Sequence, residues 1–191
     1  MRLGVLDNGH GLPTKALFGI IRLATRQPVV DAVKLALYRK DFYGAGPLTN
    51  EAMRGPSQWS VGDRELMAAF VAKATECPFC VAAHSATSGL WFHDDAKVAA
   101  ALADVDTAPI EEPLRATLRM LGKLAREHTV DANDMRSVLQ AGVTPAQIED
   151  ALAVGYAFTI TARLANAFDF DLASPEAVSY THLTLPTILR V

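Results

Sequence analysis

The chain has 191 residues, half of them hydrophobic and a fifth charged, with a formal net charge of -3. This excludes a disordered chain and leaves room for one domain with a real core. The charge balance, without a basic cluster anywhere, gives no reason to expect nucleic acid or an anionic membrane as a partner.

The first residues, MRLGVLDNGHGLPTK, lack the charged start, apolar run and small-residue cleavage site of a secretory signal. The longest nearly uncharged stretch, Ala151 to Ala162, is too short to span a bilayer. A cytoplasmic protein is the expectation, and in that reducing compartment two cysteines point to catalysis or metal rather than to a structural staple.

Helix signals follow one another along the chain. Pro28 suits a first helical position before VVDAVKLALYRKDFY, with Gly44 at its end. Gly44 to Ser57 is rich in turn residues and reads as a connector. Ser60 and Asp63 have capping-box spacing before RELMAAFVAKATE, whose apolar stripe is Leu66, Met67, Phe70, Val71 and Ala74. Pro78 opens a helix to about Trp91, and a short helix covers Asp95 to Ala103.

Leu114, Leu118, Leu121 and Ala125 recur with helical spacing behind the acidic turn Glu111–Pro113. Asp131 starts a short helix that Gly142 ends. Thr144, Pro145 and Gln147 then cap the long segment PAQIEDALAVGYAFTITARLANAF, apolar on almost every side through its middle and so central to the core or to a subunit interface. No alternating strand pattern and no repeat is found. The expected fold class is all-α, a compact array of antiparallel helices in one domain, residues 1–177, with residues 1–57 as an N-terminal extension and 58–177 as the core. Residues 178–191, VSYTHLTLPTILRV, break the pattern and read as sequence foreign to the domain; a native tail packed on a neighbouring subunit is the alternative.

The chemistry concentrates in ECPFCVAAHS, Glu76 to Ser85. A helix that begins at Pro78 has Cys77 as its N-cap and Cys80 in its first turn, so both sulfurs lie near backbone N–H groups and the positive end of the dipole, which favours thiolate. That spacing also suits a reversible disulfide. His84 lies one turn past Cys80 on the same face, where an imidazole can take the thiol proton.

Glu76 is adjacent to Cys77, but a carboxylate there raises a thiol pKa. If the two helices form an antiparallel hairpin, Glu65 lies about 16 Å from the turn and His84 roughly 10 Å, at ~1.5 Å per residue. A glutamate side chain plus one water spans that difference. Ala68, Ala69 and Ala72 on the Glu65 face allow the helices to approach closely.

A metal site is the rival reading. C-x2-C-x3-H offers three zinc ligands, with His93, Glu65 or Glu76 as a fourth, although no second CxxC or paired histidine completes the set. His93 otherwise reads as a surface or capping residue. His10, His128 and His182 read as solvated, and Trp59 and Trp91 as core or interface anchors.

The run DRELMAAFVAKATECPFCVAAHS resembles the signature of AhpD-like alkylhydroperoxidases, within the carboxymuconolactone decarboxylase superfamily. A glutamate, eleven residues, CxxC, three residues and a histidine are matched by Glu65, Cys77, Cys80 and His84. LQAGVTPAQIEDALAV and TARLANAF are similar to the closing helices, so the likeness spans about Trp59 to Phe168. It implies an all-helical homo-oligomer, trimer or hexamer. It also implies a peroxidase or thiol-disulfide oxidoreductase that needs no cofactor and no metal.

By the same resemblance, Cys80 attacks the hydroperoxide and becomes a sulfenic acid, Cys77 resolves it as a disulfide, and Glu65 and His84 relay the proton through a water. A lipoyl protein or thioredoxin-like dithiol would supply electrons, and a peroxiredoxin is a further partner. Phe79 departs from the pattern, standing where the best-known peroxidases carry histidine. The alternatives are a disulfide reductase or redox sensor in which Cys77 attacks, and a decarboxylase-like enzyme of the same superfamily.

Overall fold

The computed structural model describes residues 4–39, 46–172 and 174. Among them the chain forms ten helices and no strand: α1 Val5–Asn8, α2 Leu12–Thr25, α3 Asp31–Tyr38, α4 Gly46–Arg54, α5 Val61–Ala74, α6 Pro78–Phe92, α7 Asp95–Ala103, α8 Glu112–Glu127, α9 Ala132–Gln140 and α10 Pro145–Ala167. The expected helices from Ser60 onward lie where their caps place them. The Ser60 hydroxyl accepts from Asp63 N–H at 3.1 Å and Ser60 N–H donates to the Asp63 carboxylate at 3.0 Å. Asp131 with Asp134 and Thr144 with Gln147 form the same reciprocal boxes at α9 and α10. Each cap stabilises its helix by about 1 kcal/mol.

Three differences from the expected elements lie before Ser60. The Gly44–Ser57 connector contains a helix, α4. Its interior residues Glu51, Ala52, Met53 and Arg54 are good helix formers, and the flanking Gly46, Pro47, Gly55 and Pro56 mark its ends rather than a turn. The third helix begins at Asp31 instead of beside Pro28, after an extended Val30, and stops at Tyr38; its expected end at Gly44 lies outside the described residues. Finally, α2 had no assigned signal, yet Gly11 and Pro13 start it. The tail 178–191 lies outside the described residues, as does His182.

The core forms where α5, α8 and α10 meet. Leu66, Met67, Leu118, Leu121, Val154 and Phe158 are all at most 2 % exposed there. Trp59 is buried as an anchor, its indole N–H donating to Gln147 O at 2.8 Å, whereas Trp91 is about half exposed. The long helix α10 buries Ile148, Ala151, Phe158 and Ala162 but leaves Tyr156 and Ile160 outward. No helix of the described residues is long and apolar enough to cross a membrane.

α5 and α6 form the antiparallel hairpin on which the site stands, and small residues set their approach. The Ser88 hydroxyl donates to Gly62 O across the pair at 3.0 Å. A Cβ at Gly62 would come within 2.9 Å of the Phe92 ring. The turn between them is closed by Glu76 in the left-handed region, φ 53°, with Cys77 N–H donating to Ala72 O at 2.9 Å.

The N-terminal helices pack on the far end of this unit. Leu6 and Leu35 cluster with Phe168 beyond α10. Asp31, buried, accepts from Asp171 N–H at 2.9 Å and pairs with Lys34 at 2.9 Å. His10, expected in solvent, is buried instead. Its Nε2 meets Lys34 O at 2.8 Å and its ring stands edge-on to Phe18, which places it in the seam between α1, α2 and α3.

Candidate active site

Cys77 and Cys80 are reduced, and each is 1 % exposed. Pro78 starts α6 as the sequence indicates, so Cys77 occupies the N-cap and Cys80 the first turn. The sulfurs belong to an apolar cluster with Ala72, Phe79, Ala162 and Ala165, against which Ala32 of α3, Val81 and Phe170 pack. Phe79 and Phe170 meet edge to face at 5.1 Å between ring centres. The residue that departs from the family pattern thus belongs to the cover of the pair.

The two thiols are not equivalent. The Cys77 thiol is lowered to about 7, first by the hydrogen bond it accepts from the Cys80 thiol. Burial raises it, and the backbone N–H groups of Cys80 and Phe79 lower it further. Both N–H groups belong to the first turn of α6, where the helix start favours thiolate. Cys80 is pushed strongly upward, because its hydrogen is committed to Cys77 and because it is buried. Of the two sulfurs, the shifts favour Cys77 as the one that ionises first, opposite to the polarity that the resemblance implies for a Cys80 nucleophile.

One turn further along α6, His84 is 6 % exposed and its Nδ1 meets the Glu65 carboxylate, Oε2, at 2.6 Å. Glu65 is 0 % exposed. The expected water is not needed between them, because the alanine face of α5 brings the helices close enough for direct contact. The His84 ring also stands edge-on to Phe158 at 4.3 Å, which fixes its plane from the α10 side. Glu76 is exposed in the turn.

The second Glu65 oxygen, Oε1, accepts from Arg54 Nη2 at 2.5 Å. Arg54 ends α4 and was not singled out from the sequence. Arg64, beside Glu65 on α5, donates to Gly55 O at 2.9 Å and Ala52 O at 3.4 Å, closing the last turn of α4. Burial, and after it the Arg54 charge, lower the Arg64 guanidinium below its usual range. The signal that could have found Arg54 is chemical: a fully buried carboxylate requires a cation.

Among the described residues, no three His, Cys, Asp or Glu side chains converge to hold a metal ion. His93 caps α6 in the left-handed region, φ 53°, and His128 does the same for α8, φ 61°.

Among solved structures the chain is similar to an uncharacterized peroxidase-related protein from Silicibacter sp. TM1040, at 22 % identity and TM-score 0.76 over 90 % of this chain and 91 % of that one. It is similar also to an alkylhydroperoxidase AhpD core protein from Ralstonia eutropha JMP134, at 20 % identity and TM-score 0.73 over 87 % and 88 %. A cysteine-to-alanine variant of the debrominase Bmp8, in complex with 2,3,4-tribromopyrrole, shares the fold at 12 % identity and TM-score 0.68 over 90 % and 91 %. No family model and no curated protein matches. The fold is therefore that of AhpD-like, peroxidase-related proteins, and it serves other activities as well.

Proposed function

We propose that this protein is a cysteine-dependent oxidoreductase that reduces hydroperoxides through the Cys77–Cys80 dithiol. The reading is carried by a dithiol sealed at the start of α6, one turn from an imidazole bound directly to a buried carboxylate. A thiolate attacks the terminal peroxide oxygen, the O–O bond breaks, and an alcohol leaves with a proton from the imidazole side. The resulting sulfenic acid is displaced by the second sulfur, forming the disulfide and releasing water. A dithiol reductant, a lipoyl protein or a thioredoxin-like one, then returns two electrons and two protons; recharging a peroxiredoxin is the same exchange run toward a protein partner.

The order of attack has two forms. With Cys80 as nucleophile, its proton passes first to His84 and Cys77 resolves. With Cys77 as nucleophile, the pair works as a disulfide reductase does, and the thiol lowered to about 7 favours this second form.

The reduced protein is exposed to hydrogen peroxide and to cumene hydroperoxide, free thiols are counted, and sulfenic acid is trapped in Cys77→Ser and Cys80→Ser. Two thiols lost together support the dithiol reading. Sulfenate in Cys77→Ser alone assigns attack to Cys80, and in Cys80→Ser alone to Cys77. A pair oxidised by neither peroxide faster than free cysteine sinks the peroxidase reading.

A further inference from the structure

Glu65 has its two oxygens turned to different partners: Oε1 to Arg54 at 2.5 Å and Oε2 to His84 Nδ1 at 2.6 Å. It is fully enclosed, while the Arg54 side chain is 19 % exposed and reaches it from the end of α4. The arginine is itself anchored, Nη1 donating to Met53 O at 2.9 Å. Gly55 follows at once, and a Cβ there would lie 2.5 Å from Glu51 O, so the turn that aims Arg54 inward tolerates little else. Arg64 ties that same turn to α5 at the residue before Glu65.

A carboxylate held by a guanidinium in an enclosed site is favoured in its ionised form. An ionised carboxylate only accepts hydrogen bonds, so the hydrogen in the contact with His84 must belong to Nδ1. Without the guanidinium a second arrangement competes, a neutral carboxylic acid donating to a bare Nδ1, because a buried charge that has lost its counter-charge is costly. In that arrangement the imidazole carries its hydrogen on Nε2 and accepts no thiol proton there.

We propose that Arg54 is the positioning residue of this site: it holds Glu65 as a carboxylate and thereby fixes His84 with its hydrogen on Nδ1 and its lone pair on Nε2. This rests on the dithiol reading above for its purpose, but the tautomer is observable without any turnover.

The test is 15N-histidine NMR of the reduced full-length protein, with His84 identified by loss of its signals in His84→Gln. The parent and Arg54→Lys show the Nδ1–H tautomer. Arg54→Met and Arg54→Gln depart from it, the second keeping a neutral donor near Glu65 and serving where Arg54→Met does not fold. Oxidation of the dithiol by hydrogen peroxide slows at least tenfold in Arg54→Gln and less than threefold in Arg54→Lys. A parent His84 with its hydrogen on Nε2, or an Arg54→Gln spectrum and rate like the parent's, overturns the role of Arg54. A tautomer that depends on Arg54 while no variant reacts with peroxide upholds Arg54 and overturns the hydroperoxide reading instead.

Discussion

The turn and the middle of the α5–α6 hairpin are both buried and are built in opposite ways. At the turn end the sulfurs sit among alanines under two aromatic rings, and nearly everything that holds them is apolar packing. Near the middle, Arg54, Glu65 and His84 replace water for one another, and what holds them is mutual charge and hydrogen bonding. The comparison teaches how the hairpin tolerates damage. An apolar region loses stability in proportion to the contacts removed, whereas a charged one fails abruptly when a member goes, since a buried charge loses its counter-charge.

The largest break in that comparison is Arg54→Met. Removing the cation from a fully enclosed carboxylate costs about 3–5 kcal/mol, read as a lower urea midpoint, and Arg54→Lys recovers most of it. A loss below 1 kcal/mol would show that Glu65 finds water or a proton without penalty. At the apolar end, Phe170→Ala removes a half-buried ring and one edge-to-face contact, for about 1–2 kcal/mol. Its more telling effect is access: the dithiol should be alkylated by N-ethylmaleimide several-fold faster, and an unchanged rate would mean that Phe170 does not cover the sulfurs.

The smallest effect is titrational. Absorbance at 240 nm should report one thiolate appearing with a midpoint of about 7 and no second through the neutral range. Cys80→Ala removes the donor to Cys77 and should move that midpoint upward; a midpoint that stays put would show that the helix start alone acidifies Cys77. A thiol whose folded value lies below its ordinary value of 9.0 adds no stability under pH 7. Its contribution grows between about 7 and 9 and is complete above that, so the parent should gain stability over Cys77→Ala as pH rises through this window.

Much of this site was legible because its signals are local. Ser60 with Asp63, Pro78 after Cys77, and Thr144 with Gln147 each declare a helix start within four residues, and the alanines on the Glu65 face declare close approach. Glu65 and His84 then followed from counting residues on either side of a turn. The direct contact was not legible, since helix rise gives positions along the axes and not the gap between them. Arg54 was hidden by its context: the residues from Leu48 to Arg54, between Pro47 and Gly55, are too few to show a period, and their punctuation reads as a turn. His10 was missed for a related reason, because nothing near it in sequence foretells the seam formed with Lys34 and Phe18.

The cover over the sulfurs has a kinetic meaning. With each cysteine 1 % exposed, an outside reagent meets the dithiol only during an opening of the packing around it, in which Ala32, Val81 and Phe170 take part. Observed rates are then the product of an opening constant and an intrinsic rate. For a small oxidant a brief breathing motion suffices, whereas a protein dithiol needs a wider one. On the proposed function, the same packing would set two different clocks for the two halves of the redox cycle.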